Sequence, residues 1–168
     1  MTIRVLTEPD AETYQALRLR SLKEDPDPFG ATYDEWVNRP MAQVTERLRN
    51  ATPEAYLLGA FEGDTLAGII AFTRDTMRKF RHKGSITSMY VAPEARGKGL
   101  ARALLIDVIA RGRELAGLEQ ITLSVVSDNT AARNLYLSAG FEIFGTERHA
   151  MKDGDRYLDE DFMVYWLA

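Results

Sequence analysis

Cysteine is absent from the 168 residues, so the chain has no disulfide, no thiolate metal site and no cysteine nucleophile to carry a covalent acyl group. Histidine is scarce as well: His82 and His149 are the only two, and no metal-ligand spacing runs through the chain. No apolar run approaches the ~20 residues of a membrane span. The opening Met1-Thr2-Ile3-Arg4-Val5-Leu6 lacks the basic region and long apolar stretch of a secretion signal. A cytoplasmic chain with no membrane partner is the expectation. No Lys/Arg-rich block stands out and the formal net charge is -4, which disfavours duplex nucleic acid as a partner and suits a cationic substrate.

What is present fits one domain. At 45% hydrophobic content the chain can fill one core and is short for two, so 1–168 reads as a single unit. Ile3 to Leu6 alternates like a strand, and Pro9-Asp10 opens a helix carrying Tyr14, Leu17, Leu19 and Leu22. Asp25-Pro26-Asp27-Pro28-Phe29-Gly30 breaks that helix, and a second helical region lies around Arg39 to Ala51. Between them Phe29, Tyr33 and Trp36 stand among Asp25, Asp27, Asp34 and Glu35. These residues either line a cleft for an amine or divide into core aromatics and solvated carboxylates. Ala55 to Phe61 and Leu66 to Arg74, joined through Glu62-Gly63-Asp64, predict an antiparallel hairpin. The basic stretch Asp75 to Lys83 reads as a loop near the entrance of a phosphate-bearing ligand.

The stretch from Ser85 to Leu104 organises the rest. It reads as a strand ending Met89-Tyr90-Val91-Ala92-Pro93, a turn, and a helix whose first turn holds Arg96, Gly97, Lys98, Gly99, Leu100 and Ala101. Glycines permit close backbone approach, and the free N–H groups of a helix N-terminus attract anions, phosphate above all. Walker A is excluded because Gly99 and Leu100, not a hydroxyl residue, follow Lys98. A Rossmann turn is excluded because Arg102 stands where the third glycine belongs and Ala92-Pro93-Glu94-Ala95 intervenes after the strand. The helix should run from Gly97 or Lys98 to Leu115, with Leu100, Leu104, Leu105, Val108 and Ile109 inward, before the strand Ile121 to Val126. Strand, helix and strand then make one parallel unit.

The pattern Arg-x-x-Gly-x-Ala at Arg96, Gly99 and Ala101 resembles the pyrophosphate-binding motif of the GCN5-related N-acetyltransferases. Downstream, Asn129-x-x-Ala-x-x-Leu135-Tyr136-x-x-x-Gly140-Phe141 is similar to the second signature region of the same family, and a last hairpin turns at Asp153-Gly154. The resemblance implies an α/β fold: a mixed, mostly antiparallel sheet of about seven strands flanked by helices, split in a V between its two central parallel strands. It implies acetyl-coenzyme A as cofactor, held by backbone groups of Met89, Tyr90 and Val91 and by the run Arg96, Gly97, Lys98, Gly99, Leu100, Ala101 and Arg102, with Asn129 and Tyr136 beside it.

Tyr136 matches the family tyrosine that acts as general acid toward the coenzyme sulfur; packing against the sheet is its other reading. Asn129 can equally serve as a helix cap. Ser124 occupies the position where some family members carry a glutamate base. The base is therefore sought in Glu35, in Asp34, or in a water held by Ser124. The acceptor cleft is expected from Phe29, Tyr33, Asp34, Glu35 and Trp36 with Tyr157 of the last hairpin, receiving a primary amine of a small molecule or a peptide N-terminus. Without cysteine, transfer should be direct. A homodimer is compatible with this reading, and a module that binds acyl-coenzyme A without turnover is its competitor.

Overall fold

The Glu62-Gly63-Asp64 turn does make an antiparallel hairpin, and that hairpin forms the second and third strands of one seven-stranded sheet. In the computed structural model, which describes residues 1–167, β1 (Thr2–Val5), β2 (Ala55–Glu62), β3 (Thr65–Arg74), β4 (Lys83–Val91), β5 (Gln120–Val126), β6 (Glu142–Asp153) and β7 (Arg156–Trp166) form a single sheet in the order β1-β2-β3-β4-β5-β7-β6. Side chains of β2 and β3 alternate between two cores, as a period of two requires. Leu58, Ala60, Ile70 and Phe72 face α4 (Leu100–Glu114), packing with its Leu104, Leu105 and Val108. Leu57, Ile69 and Ala71 face the other way, against Leu17 of α1 (Ala11–Glu24), Trp36 of α2 (Tyr33–Val37) and Val44 and Leu48 of α3 (Met41–Arg49). Both faces of the hairpin are covered, so both strands read as near-continuous apolar runs.

The sheet is antiparallel except at β4 and β5, and there the pairing is brief. Lys83, Gly84 and Ser85 pair with Gln120, Ile121 and Thr122, and no further partners join the two strands. Two features account for the parting. Ser88 takes a left-handed φ of 55°, and the β3–β4 register slips between Ile69 and Ala71. That inserts one extra residue and bends β4 away. On the other side, β5 is paired along its whole length with β7, from Gln120 with Trp166 to Val126 with Glu160. The expected V-shaped split is therefore present, closed at Lys83 and open toward Val91.

Three local expectations need correction. The helix after the glycine run begins at Leu100, with Gly99 as its left-handed cap at φ 83°, so Arg96 to Gly99 form a turn rather than helix. The aromatic segment contains α2, whose Thr32 side chain caps the Glu35 N–H while the Glu35 carboxylate takes the Thr32 N–H. A Thr-x-x-Glu box of this kind starts a helix. The basic stretch Asp75 to Lys83 leads into the closed end of the V, away from the glycine turn. Its Arg81, with Arg74, grips Glu54, the Arg81 Nη2 and Arg74 Nη1 lying 2.6 and 2.9 Å from Glu54 Oε1.

Candidate active site

The parting of β4 and β5 opens a cavity of about 470 Å³. One wall is Ile86 to Val91 of β4, the other Leu123 to Val126 of β5. The glycine turn closes one end, α5 (Thr130–Ser138) lies alongside, and Pro28 and Phe29 reach over from the loop after α1. Beyond Ser85 the edge of β4 that faces β5 carries no strand partner. Its backbone N–H and C=O groups are thus available to a ligand arm.

The turn itself is shaped for an anion. Gly97 and Gly99 have φ of 76° and 83°, a region side chains rarely adopt. A Cβ on either would meet nothing within 4 Å. Packing therefore does not demand these glycines; backbone conformation and open approach do. The Ala103 N–H bonds to Gly99 O at 3.0 Å, which leaves the N–H groups of Leu100, Ala101 and Arg102 ahead of the helix ladder and bearing the positive end of its dipole. Arg96 steadies the turn: its Nε donates to Val91 O at 3.0 Å and its Nη2 to Asp25 Oδ2 at 3.2 Å. Arg102 borders the cavity and donates to Ser138 Oγ. Lys98 does not border it; its ammonium lies on the Glu62 carboxylate at 3.0 Å.

Across the cavity, Asn129 and Tyr136 are both in its lining. Asn129 also caps α5, its Oδ1 accepting the Ala132 N–H at 3.2 Å, which is the capping duty expected of it. Tyr136 is buried against Phe141, and burial pushes its phenol up to about 12. Ser124 borders the cavity and donates through Oγ to Glu160 Oε1 of β7 at 3.3 Å. Glu160 is a carboxylate that sequence reasoning missed. Its signal lay in the register of β5 against β7, where Ser124 stands opposite Phe162 and Val126 opposite Glu160, so that Ser124 and Glu160 are diagonal neighbours.

The expected acceptor residues divide. Phe29 borders the cavity, its ring centroid 6.3 Å from that of Tyr90. Tyr33, Asp34, Glu35, Trp36 and Tyr157 are not among the cavity lining. Glu35 accepts the Thr32 N–H and hydroxyl at 2.8 and 2.9 Å, and those bonds hold its carboxyl below the usual range. A carboxylate so engaged is a cap and a weaker base. Trp36 is buried, with the Arg39 and Arg18 guanidiniums 3.8 and 5.0 Å from its ring centroid. Tyr33 packs partly against the same core and Asp34 is exposed. Tyr157 stacks on His149 at 4.2 Å. The neighbouring Arg156 holds Asp27 through two bonds of 2.6 and 3.0 Å, pinning the hairpin tip to the loop that carries Phe29. Among the described residues no cluster of His, Asp and Glu could hold a metal ion, and no helix is long and apolar enough to cross a membrane.

Known proteins are similar to this chain in sequence and in fold. Residues 13–141 match the family model described as the acetyltransferase (GNAT) family. The chain is similar to the mycothiol acetyltransferase of Propionibacterium freudenreichii subsp. shermanii, 30% identical over 148 residues that cover 82% of this chain and 47% of that protein. It is similar also to the N-alpha-acetyltransferase RimI of Mycobacterium tuberculosis, 31% identical over 150 residues covering 88% and 82%. It thus spans about half the length of the first of these relatives and most of the second. Among solved structures, the ribosomal-protein-alanine N-acetyltransferase from Brucella melitensis superposes with a TM-score of 0.82 at 27% identity, covering 99% of each chain.

Proposed function

The chain belongs to the acetyltransferase (GNAT) family, whose cofactor is acetyl-coenzyme A, and on that premise we propose that it transfers an acetyl group directly to a primary amine of a small molecule or peptide N-terminus, as one N-acetyltransferase domain. The observation that carries the reading is one cavity bounded at once by the Gly97–Gly99 turn, the unpaired edge of β4 and Tyr136.

The residues present fit the coenzyme: two glycines with open space where a Cβ would stand, and unused N–H groups at a helix start. Gly97 to Arg102 would hold the pyrophosphate, and Met89 to Val91 would orient the pantetheine arm through their backbone. Bound acetyl-coenzyme A supplies an activated acetyl thioester and a thiol leaving group. A β4 N–H would polarise the carbonyl, a kind of donor worth about 3 kcal/mol in the transition state. Tyr136, in the lining of the same cavity, would be the residue beside the leaving sulfur. A phenol near 12 is a weaker acid than a thiol of about 8.5, so full proton transfer even to the departed thiolate would run uphill. Tyr136 therefore stabilises the sulfur chiefly as a hydrogen-bond donor that strengthens as negative charge grows. The amine must shed a proton, which Ser124 Oγ can accept while its own passes to Glu160.

Thiol release from acetyl-coenzyme A in the presence of small primary amines, free amino acids and peptides tests the proposal. Release that depends on an amine supports it. Calorimetric binding of the coenzyme with no release across all three classes would instead identify a non-catalytic acyl-coenzyme A module.

A further inference from the structure

Arg18 on α1 is a buried cation with no anionic partner among the described residues. It is 5% exposed, and its Nε and Nη1 are shielded from solvent without a hydrogen-bond partner among the described residues. Removing a guanidinium from water without a paired carboxylate is expensive, and burial accordingly pulls its pKa down. Among its neighbours Tyr14 offsets part of that cost, while Arg47 and Arg39 lie close enough to depress it further. No carboxylate pairs with Arg39 or Arg47 among the described residues, although ten other basic side chains in the chain do form ion pairs. In a chain of net charge -4, three arginines left together are an anomaly of placement and not of composition. Partial relief comes from aromatic faces: the Arg18 guanidinium carbon is 4.7 Å from the Phe29 ring centroid and 5.0 Å from that of Trp36.

Arg18 is not itself in the lining of the cavity between β4 and β5, and Phe29, which is, supplies the link to chemistry. Its ring touches Arg18 on one side and lines the acetyl-transfer cavity with the other residues of the loop after α1. Building on the acetyltransferase reading, we infer that Arg18 is the anchor for a carboxylate on the acceptor, so that the substrate is a small amine that also carries a carboxylate, an amino acid or short peptide. A carboxylate completes the planar fork of a guanidinium with two parallel bonds. It would also neutralise the local excess of positive charge contributed by Arg39 and Arg47. Phe29, held in its loop by the Asp25–Arg96 and Asp27–Arg156 pairs, would shift aside to admit it.

Calorimetric titration of the common L-amino acids and their carboxamides into the protein saturated with coenzyme A tests this without requiring turnover, so failure of acetyl transfer leaves the result readable. At least one amino acid should bind about tenfold or more tightly than its carboxamide, the range of a hydrogen-bonded charge. That preference should collapse in Arg18→Met, whose melting temperature should stay level or rise, since an unpaired buried cation replaced by an apolar chain of similar length removes a cost. Should Arg18→Met not fold, the exposed Arg39→Gln carries the test, with the preference reduced about threefold by loss of one neighbouring charge. No preference for any carboxylate over its carboxamide, or a preference unaltered in the folded variant tested, overturns the inference and leaves Arg18 as a cation held by aromatic stacking alone.

Discussion

The two ends of the cleft are built on opposite plans. At the coenzyme end, Gly97 to Arg102 present backbone N–H groups that no side chain occupies, in a turn where a Cβ would find empty space. Around the loop after α1, by contrast, the carboxylates are already engaged, Glu35 in the α2 cap, Asp25 on Arg96 and Asp27 on Arg156, while Arg18 has no carboxylate partner among the described residues. A pyrophosphate is the same in every molecule of cofactor, so backbone suffices to hold it. An acceptor must be told from others, which calls for side chains from several segments and for walls that hold their shape.

That contrast is broken most severely at Tyr136, which stands between the two ends. Tyr136→Phe should cut turnover by about a hundredfold or more while leaving coenzyme affinity within about twofold, because its hydroxyl matters only as charge develops on sulfur. Steady-state thiol release beside calorimetric titration separates the two quantities; a parallel fall in affinity would make it a binding residue. Gly99→Val comes next. A β-branched residue at φ 83° should cost about 1–2 kcal/mol of stability and at least about tenfold in coenzyme affinity. Gly84→Ala is its mirror, since the new Cβ would stand 2.5 Å from the Phe72 ring. Overpacking there should cost about 1–3 kcal/mol, read as a lowered melting temperature with affinity retained.

The two carboxylates sharpen the acceptor end. Glu160→Gln should lower turnover about tenfold and change its pH profile, as loss of a proton acceptor predicts. Glu35→Gln should lower the melting temperature slightly by weakening the α2 cap and should not alter the pH profile of turnover. Exchange of those two outcomes would return the base to α2. The smallest effect lies outside the cleft at Asp10, held by Arg4 through two bonds of 2.7 Å and pulled down to about 2. A folded pKa below the unfolded value of about 3.9 adds stability that is present above pH 4 and is lost as pH falls toward 2. Arg4→Met should flatten that acid loss in chemical denaturation curves.

The same division explains what could be read from the chain. The glycine turn, the Asn129 to Phe141 segment and the two hairpins are contiguous, so spacing alone carries them, down to the left-handed Gly140 after α5. The V was legible only through the family resemblance; its local cause, the irregularity at Ser88, has no sequence signature of its own. Glu35 was open to either reading, and the Thr32–Glu35 spacing was the clue that it caps a helix. Glu160 and Arg18 were invisible for a different reason. One depends on strand register across 36 residues, the other on an arginine in a helix whose neighbours Leu17 and Leu22 already satisfied the apolar pattern.

The central claim is that the coenzyme lies in the V with its pyrophosphate on the glycine turn, and amide hydrogen exchange with and without acetyl-coenzyme A tests it most directly. Exchange should slow at Met89 to Val91 and at Gly97 to Arg102, with α5 also protected, while β1 and β2 keep their rates. Protection that skips Gly97 to Arg102 and falls instead around Tyr56 and Arg111, which line a second cavity of about 500 Å³, would contradict it.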